Sequence, residues 1–442
     1  MSHAHLNVFV HDLTAADLPP AVIEGVRRSM LDLIGVAAAG STTPLSRIVR
    51  EHAVRWCAAG PGGGARLLFD GRRVSPVGAA LAGAATIDSV DAHDGHALTK
   101  GHAGVAVLPA LLAGAELRPG LSGSDLLTAF IVGCEVALRA GIALHASAAD
   151  YHCSGAWNAL GAAAVGSRLL GLNGEQTWHA LGIAEYHGPR GPMMRCIDHP
   201  TMVKDGSDRG AAAGLSAALL AADGFTGAPA VTVEGATGWA DLGRRWRILE
   251  QYHKPYPVCR WAHPAIDAAL ELRRTGELAV SAVEVVTFHE AARLSCRRPV
   301  NTEQAQYSLP FPVAVALVRG SLSAADITGD ALTDETVLRL AELITLSESP
   351  TYSAAFPAVR SARVNVTLAD GRVRTAEATM SRGDPISPLT GPELTEKFRR
   401  FAHPVLGAAR SSRIEAAVAG LVVDGAPAQL LLDEVLAPRR PS

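Results

Sequence analysis

Ser281-Ala-Val-Glu-Val-Val-Thr-Phe-His289 divides the chain into two kinds of sequence. Val283, Val285 and Thr287 fall on one side, and Ala282, Glu284, Val286 and Phe288 on the other. A two-residue period is the signature of a strand. Two later stretches, 362–368 and 372–379, alternate in the same way. Between them stands Asp370-Gly371, a strong hairpin-turn signal. Helical periodicity near 312–319 and 334–344 separates the strands. Residues 275–389 therefore read as a smaller α+β domain.

Upstream, residues 1–274 read as helices. Pro20 opens a segment in which Val22, Ile23, Val26, Met30, Leu31 and Ile34 recur at three- and four-residue spacing, with Gly40 as its stop. Ser122 or Ser124 caps the next clear helix, with Leu126, Leu127, Phe130, Ile131, Cys134 and Leu138 on its apolar face. Residues 155–170 and 210–222 are rich in Gly and Ala and apolar nearly all round, which predicts central helices. Residues 393–401 and 411–422 are helical again, so 390–442 are expected to return to the first domain. The predicted fold is mainly α: a large all-helical domain plus a smaller α+β lid.

Composition excludes several partners. The 442 residues carry a formal net charge of -3, and 5% are aromatic. There is neither a basic field for nucleic acid or an anionic membrane nor a set of base-stacking platforms. No uninterrupted apolar run reaches the roughly 18 residues of a membrane span. Cys57, Cys134, Cys153, Cys196, Cys259 and Cys296 are scattered without metal-type spacing. No secretory signal opens the sequence. The expectation is a cytoplasmic protein. Among 40 basic residues only four are lysines, Lys100, Lys204, Lys254 and Lys397.

Ten of the 16 histidines fall between His93 and His263, concentrated in four polar segments. Residues 88–102, Asp-Ser-Val-Asp-Ala-His-Asp-Gly-His-Ala-Leu-Thr-Lys-Gly-His, hold three aspartates, three histidines and a lysine. Such a loop can position a general acid or base and bind anionic oxygens. A metal site is the competing idea, disfavoured because no H-E-x-x-H or comparable spacing appears. Asp150-Tyr-His152-Cys-Ser-Gly precedes a small-residue helix whose N-terminus favours anions. Residues 186–210 include Arg195 and Lys204, the lysine lying just before the next helix. His253-Lys254-Pro-Tyr-Pro-Val-Cys259-Arg-Trp-Ala-His263 leads into a helix reaching about Arg274. Cys259 is either an acid, base or nucleophile or, on the simpler view, a pocket or core cysteine. There is no dinucleotide fingerprint, P-loop or nucleophile elbow. What remains is a pocket of His, Lys, Arg and Asp suited to proton transfer beside carboxylates.

At these segments the sequence resembles the MmgE/PrpD family. The resemblance rests on Gly101-His102-Ala-Gly, on Tyr151-His152 before a Gly/Ala helix, and on Met202-Val-Lys204-Asp-Gly with Gly210-Ala-Ala-Ala-Gly214. It continues through Ala221-Ala-Asp-Gly-Phe-Thr-Gly227, Lys254-Pro-Tyr-Pro-Val-Cys259 with His263, and Glu303-Gln-Ala-Gln-Tyr-Ser-Leu-Pro-Phe. It implies a helical domain with an α+β lid, a homodimer, and an enzyme without metal or organic cofactor. Family members include 2-methylcitrate dehydratase, cis-aconitate decarboxylase and iminodisuccinate epimerase. By position, Asp91 or Asp94, His102, His152, Lys204 and Lys254 fall on the family's pocket positions, with Cys259 and His263 in its last segment. The first loop reads Asp-Ala-His-Asp-Gly-His here, not the Asp-Asp-Thr-His of typical dehydratases and decarboxylases.

The expected function is therefore that of a cofactor-independent lyase acting on a small di- or tricarboxylate, dehydratase-like first. Epimerase-like and decarboxylase-like chemistry are the alternatives, and a non-catalytic carboxylate-binding protein stands outside the class. His102 and His152 are the expected acid and base, with Asp91 or Asp94 orienting a histidine or serving as base. Lys204 is a proton donor or carboxylate ligand. Lys254 and Arg195 bind carboxylates, and His96, Cys259 and His263 complete the substrate pocket.

Overall fold

The computed structural model describes residues 3–274, 276, 279–423 and 425–439. The chain is mainly α. Helix α1 (Pro20–Gly40) begins with proline at its first turn, where the missing N–H costs nothing. It buries Val22, Val26, Met30, Leu33 and Ile34. Helix α2 (Pro76–Asp88) leads into the polar loop, which contains the short strand β1 (Gly95–His96) and ends at helix α3 (Gly104–Ala115). Helix α4 (Gly123–Ser147) starts with a capping box, in which the Ser122 hydroxyl accepts the Asp125 N–H at 3.1 Å. Then come α5 (Gly155–Leu170), α6 (Met193–Asp198), α7 (Ser207–Ala222), strand β2 (Gln251–Tyr252) and α8 (His263–Arg274). Strand β2 pairs antiparallel with β1, which ties the polar loop to the segment before Lys254.

Helices α5 and α7 cross closely because their facing residues are small. A Cβ added at Gly214 would lie 2.1 Å from the Ala159 carbonyl oxygen, so only glycine permits this approach. By length and apolarity α4 would suit a membrane span, but 94% of its apolar window is buried inside the protein. Its uninterrupted runs are short because Glu135 and Arg139 lie within it, paired at 3.3 Å and fully enclosed. The Ile248 N–H and the Asp241 carboxylate complete this buried network.

The second unit is built on a four-stranded sheet. Strand β3 (Val280–Thr287) is followed by α9 (Thr302–Gln306), α10 (Pro310–Arg319) and α11 (Glu335–Glu342). Strands β4 (Ile344–Glu348), β5 (Ser361–Leu368) and β6 (Val373–Thr379) complete the order β4-β3-β5-β6. Strands β3 and β4 run parallel and the other pairs antiparallel, with Val285 opposite Val364 and Val366 opposite Arg374. The Asp370-Gly371 turn closes the β5–β6 hairpin, with Gly371 at φ +84°. Strand β4 departs from the sequence expectation, which carried the helix to residue 344. The helix stops at Glu342, and Ile344 pairs with Val283.

After the sheet, α12 (Gly391–Leu406) and α13 (Ala408–Gly420) lie on the helical unit. Phe398, Phe401, Ile414 and Val418 join the same apolar core as α1, α3, α4 and α5. The sheet packs with α8 and α10 around a second core. Of the expected junction between the two units, Thr275, Glu277 and Leu278 lie outside the described residues.

Candidate active site

The polar loop between α2 and α3 is buried where the two cores meet. Asp91, His93 and Asp94 are each at most 3% exposed. Its residues are held from four directions. The Lys254 amino group binds the Asp91 carboxylate in a short ion pair and lies 3.4 Å from the Asp91 carbonyl. Lys204, from the turn before α7, donates to the Gln306 side-chain oxygen and lies 4.7 Å from the centre of the Tyr307 ring. Gln306 is fixed in turn, because its nitrogen donates to the Ser89 carbonyl at 2.9 Å and to Thr302 at 3.2 Å. Lys204 itself sits in the left-handed region at φ +53°, which costs a non-glycine residue about 1–3 kcal/mol.

His102 sits at the centre. Its N–H donates to Ser154 at 3.0 Å, and its carbonyl accepts from Asn158 at 3.1 Å. A Cβ at Gly101 would lie 2.2 Å from the Ser154 hydroxyl, so the glycine lets the loop seat against α5. His102 Nδ1 faces the Asp94 carbonyl. A carbonyl only accepts, so this contact assigns the proton to Nδ1 and leaves the lone pair on Nε2. Burial first, then Lys254, lower the imidazole pKa below its ordinary value. The ring is neutral at pH 7 and able to act as a base.

The His93 ring packs edge-on against His102, with centroids 4.3 Å apart. His93 Nε2 lies 3.3 Å from Asp88 and 3.6 Å from Asp91. Burial and the neighbouring Asp205 carboxylate push Asp88 well above the carboxylate range. Burial also pushes Asp91 and Asp205 upward, but Lys254 and Lys204 more than reverse this for Asp91, and His102 and the Asp88 hydrogen bond do so for Asp205. Neighbouring carboxyls are thus driven apart, Asp88 upward and Asp91 and Asp205 downward.

Asp94 points elsewhere. Its carboxylate accepts the Gly104 N–H at 3.2 Å at the start of α3, and burial pushes its pKa up to about 7. Behind it lies a second buried pair, Lys397 and Asp32, at 2.6 Å and at most 1% exposed. Lys397 also donates to the Ala92 carbonyl at 2.7 Å. The lysine that sequence left outside the polar segments therefore braces the first of them.

The other expected pocket residues divide. Burial pushes the Cys259 thiol up to about 11, and Asp91 and Lys254 are the charges it feels. That makes it a wall of the pocket and not a thiolate nucleophile. His152 is half-buried with Nδ1 enclosed and unpartnered, and no hydrogen bond joins it to the cluster among the described residues. Three residues expected to bind substrate lie apart from the His102 cluster or have their polar groups engaged by the protein. His96 has both ring nitrogens engaged, one accepting the Leu98 N–H and the other facing Glu250. His263 likewise lies between the Val258 carbonyl and the Arg260 guanidinium. Arg195 is exposed on α6.

Sequence reasoning missed His93, Asp88, Asp205, Gln306 and Tyr307 as members of the cluster. The signal was present for each, because all lie in or beside the polar segments and the 303–311 stretch. One ligand atom each from Asp91, His93 and His102 lies within 4.8 Å of the others, a spacing a cation could bridge. Asp91 already pairs with Lys254 and His102 Nδ1 with the Asp94 carbonyl, so a cation would share the carboxylate with a lysine and meet His102 through Nε2.

This burial has a consequence for pH. His93, His96, His102, His145, His253 and His263 are all lowered by burial, His145 and His253 to about 4. Between pH 6.5 and 4 the unfolded chain binds protons that these folded rings refuse, so stability falls with acid. Asp88, Asp94 and Glu135, raised by burial, work in the opposite sense over the same range. Histidines outnumber them, and melting curves are expected to show a lower Tm at pH 5 than at pH 7.5. An unchanged or higher Tm at pH 5 would refute this balance.

The MmgE/PrpD N-terminal domain model matches residues 4–246 and the C-terminal domain model residues 256–421. A cis-aconitate decarboxylase-like protein of Aspergillus oryzae, oryM, is 27% identical over 97% of this chain and 96% of its own. The cis-aconitate decarboxylase of Aspergillus terreus is 26% identical over 93% and 91%, and that of Homo sapiens 27% over 90% and 87%. With both domain models matched in order along most of its length, the chain belongs to the MmgE/PrpD family.

Proposed function

We propose that this protein is a lyase acting on a small di- or tricarboxylate through its own side chains, with decarboxylation of the cis-aconitate type as its first chemistry. The observation that carries the reading is the packing of His102 against His93 in one cluster with Lys204 and the Lys254–Asp91 ion pair. The relatives' decarboxylase activity moves the weight from dehydration to decarboxylation. When an allylic carboxylate leaves as CO2, its bonding pair becomes the new double bond, and the former π pair takes a proton at the far carbon. Lys254 and Lys204 offset the carboxylate charge, Asp91 orients Lys254, and Lys204 is the proton donor in this reading.

The free lone pair of His102 Nε2 favours a second reading, removal of a proton α to a carboxylate, as dehydration or epimerisation requires. NMR of cis-aconitate and of 2-methylcitrate with the protein in D2O separates the two. Decarboxylation is expected to give CO2 and a product carrying one new deuteron. Water loss or α-deuteration without CO2 would replace it by the second reading, and no reaction of either acid would overturn both.

A further inference from the structure

Arg360 stands just before β5, in the sheet unit, and is 4% exposed. Its Nε is enclosed without a partner, and no ion pair or side-chain hydrogen bond reaches the guanidinium among the described residues. Every other buried lysine or arginine among those residues donates to a protein acceptor. Arg260, its neighbour across the Tyr252 ring, shows the contrast. Arg260 is saturated by Asp384 at 2.7 Å, by the Ser381 and Arg382 carbonyls and by His263. Both guanidinium groups lie over the Tyr252 ring, at 4.9 Å for Arg260 and 5.7 Å for Arg360.

The location is as informative as the missing partner. Tyr252 belongs to β2, pairs with Gly95 of the polar loop and stands two residues before Lys254. The charge of Arg360 also acts on Tyr151, next to His152, and on His96. Arg360 thus lies over the strand residue that pairs with the first polar segment and leads into the fourth. An unpaired guanidinium taken out of water is costly unless an anion meets it. Its planar fork matches a carboxylate in bidentate fashion.

We infer that Arg360 is an empty carboxylate subsite, through which the sheet unit grips one end of a polycarboxylate substrate while the lysines of the helical unit hold the other. This inference rests on the proposed polycarboxylate chemistry and deepens it. It favours acids with a carboxylate beyond those that Lys204 and Lys254 hold, a tricarboxylate before a dicarboxylate.

The test uses the full chain and the unreactive tricarballylate as probe, titrated by calorimetry alongside succinate. Arg360→Met is expected to weaken tricarballylate binding at least ~10-fold, as loss of one charge-assisted contact does, with a smaller effect on succinate. Arg360→Lys is expected to recover only part of the affinity. The ligand-free Tm of Arg360→Met is expected to match or exceed that of the parent, because an uncompensated buried charge has gone. A structural arginine would lower the Tm instead, and that result overturns the subsite. Tricarballylate affinity within twofold of the parent overturns it too. If Lys204→Met and Lys254→Met lose the probe while Arg360→Met keeps it, the subsite fails and the proposed function stands. If the parent chain does not bind tricarballylate at all, the polycarboxylate reading fails and the subsite with it.

Discussion

His102→Ala is expected to lower kcat by at least ~100-fold, the low end of an acid–base contribution, in a protein that still folds. Most supports of the loop around it do not involve its ring. Ser154 and Asn158 bind the residue 102 backbone, Gly101 keeps its seat on α5, and Asp91 stays on Lys254. What alanine removes is the Nε2 lone pair, the Nδ1 hydrogen bond to the Asp94 carbonyl and the edge contact with His93. The ring titrates below its ordinary pKa, so in the parent protein kcat/KM should persist through the ordinary imidazole range and fall only at more acid pH, when the base becomes protonated. In the alanine variant that acid limb should flatten. The measurement is initial rate against pH on the substrate identified by NMR. Turnover within threefold of the parent, with the acid limb intact, would remove His102 from the chemistry.

Lys397→Met is expected to lower stability by about 3–5 kcal/mol. The lysine stem is similar in size to methionine, so packing against Phe401 is kept. Asp32 is then left as a buried carboxylate without a cation, and the Ala92 carbonyl without a donor. Removing both charges should reverse most of the damage. Asp32→Leu/Lys397→Met is expected to recover all but about 1–3 kcal/mol, the residue being the orphaned carbonyl. Urea unfolding of the parent, the two single variants and the double variant measures this cycle. A cost below about 1 kcal/mol for Lys397→Met would show that the pair is not a significant support.

The two cases also show where sequence is informative. Helices α1, α4, α5 and α8 were legible because their apolar spacing, caps and small residues act within a few turns. Strand β4 was not, because its five residues, running from buried Ile344 to exposed Glu348, gain their conformation from pairing with β3 and not from their own period. In the site, Lys204, Lys254, His102 and Asp91 were legible as rare polar residues in an Ala/Gly-rich background. The choice between Asp91 and Asp94 was not, since backbone direction alone decides which carboxylate meets Lys254 and which caps α3. His96 and His263 carried the same compositional signal as His102, and only their neighbours reveal that both rings are saturated. Asp32 did leave a trace, an acid on the buried face of α1, whose meaning depends on a lysine in α12.

The bracing of the 88–102 loop also sets a timetable for biosynthesis. Its supports Lys254, Gln306 and Lys397 stand 163, 217 and 305 residues beyond the loop positions they hold. At ~5–20 residues per second on the ribosome, the loop precedes Lys397 by roughly 15–60 s. Through that interval Asp32 lacks its counter-cation, and Asp91 lacks Lys254 for about the first half of it. The loop has all its supports only once residue 397 has been made, so the candidate site is completed late in synthesis.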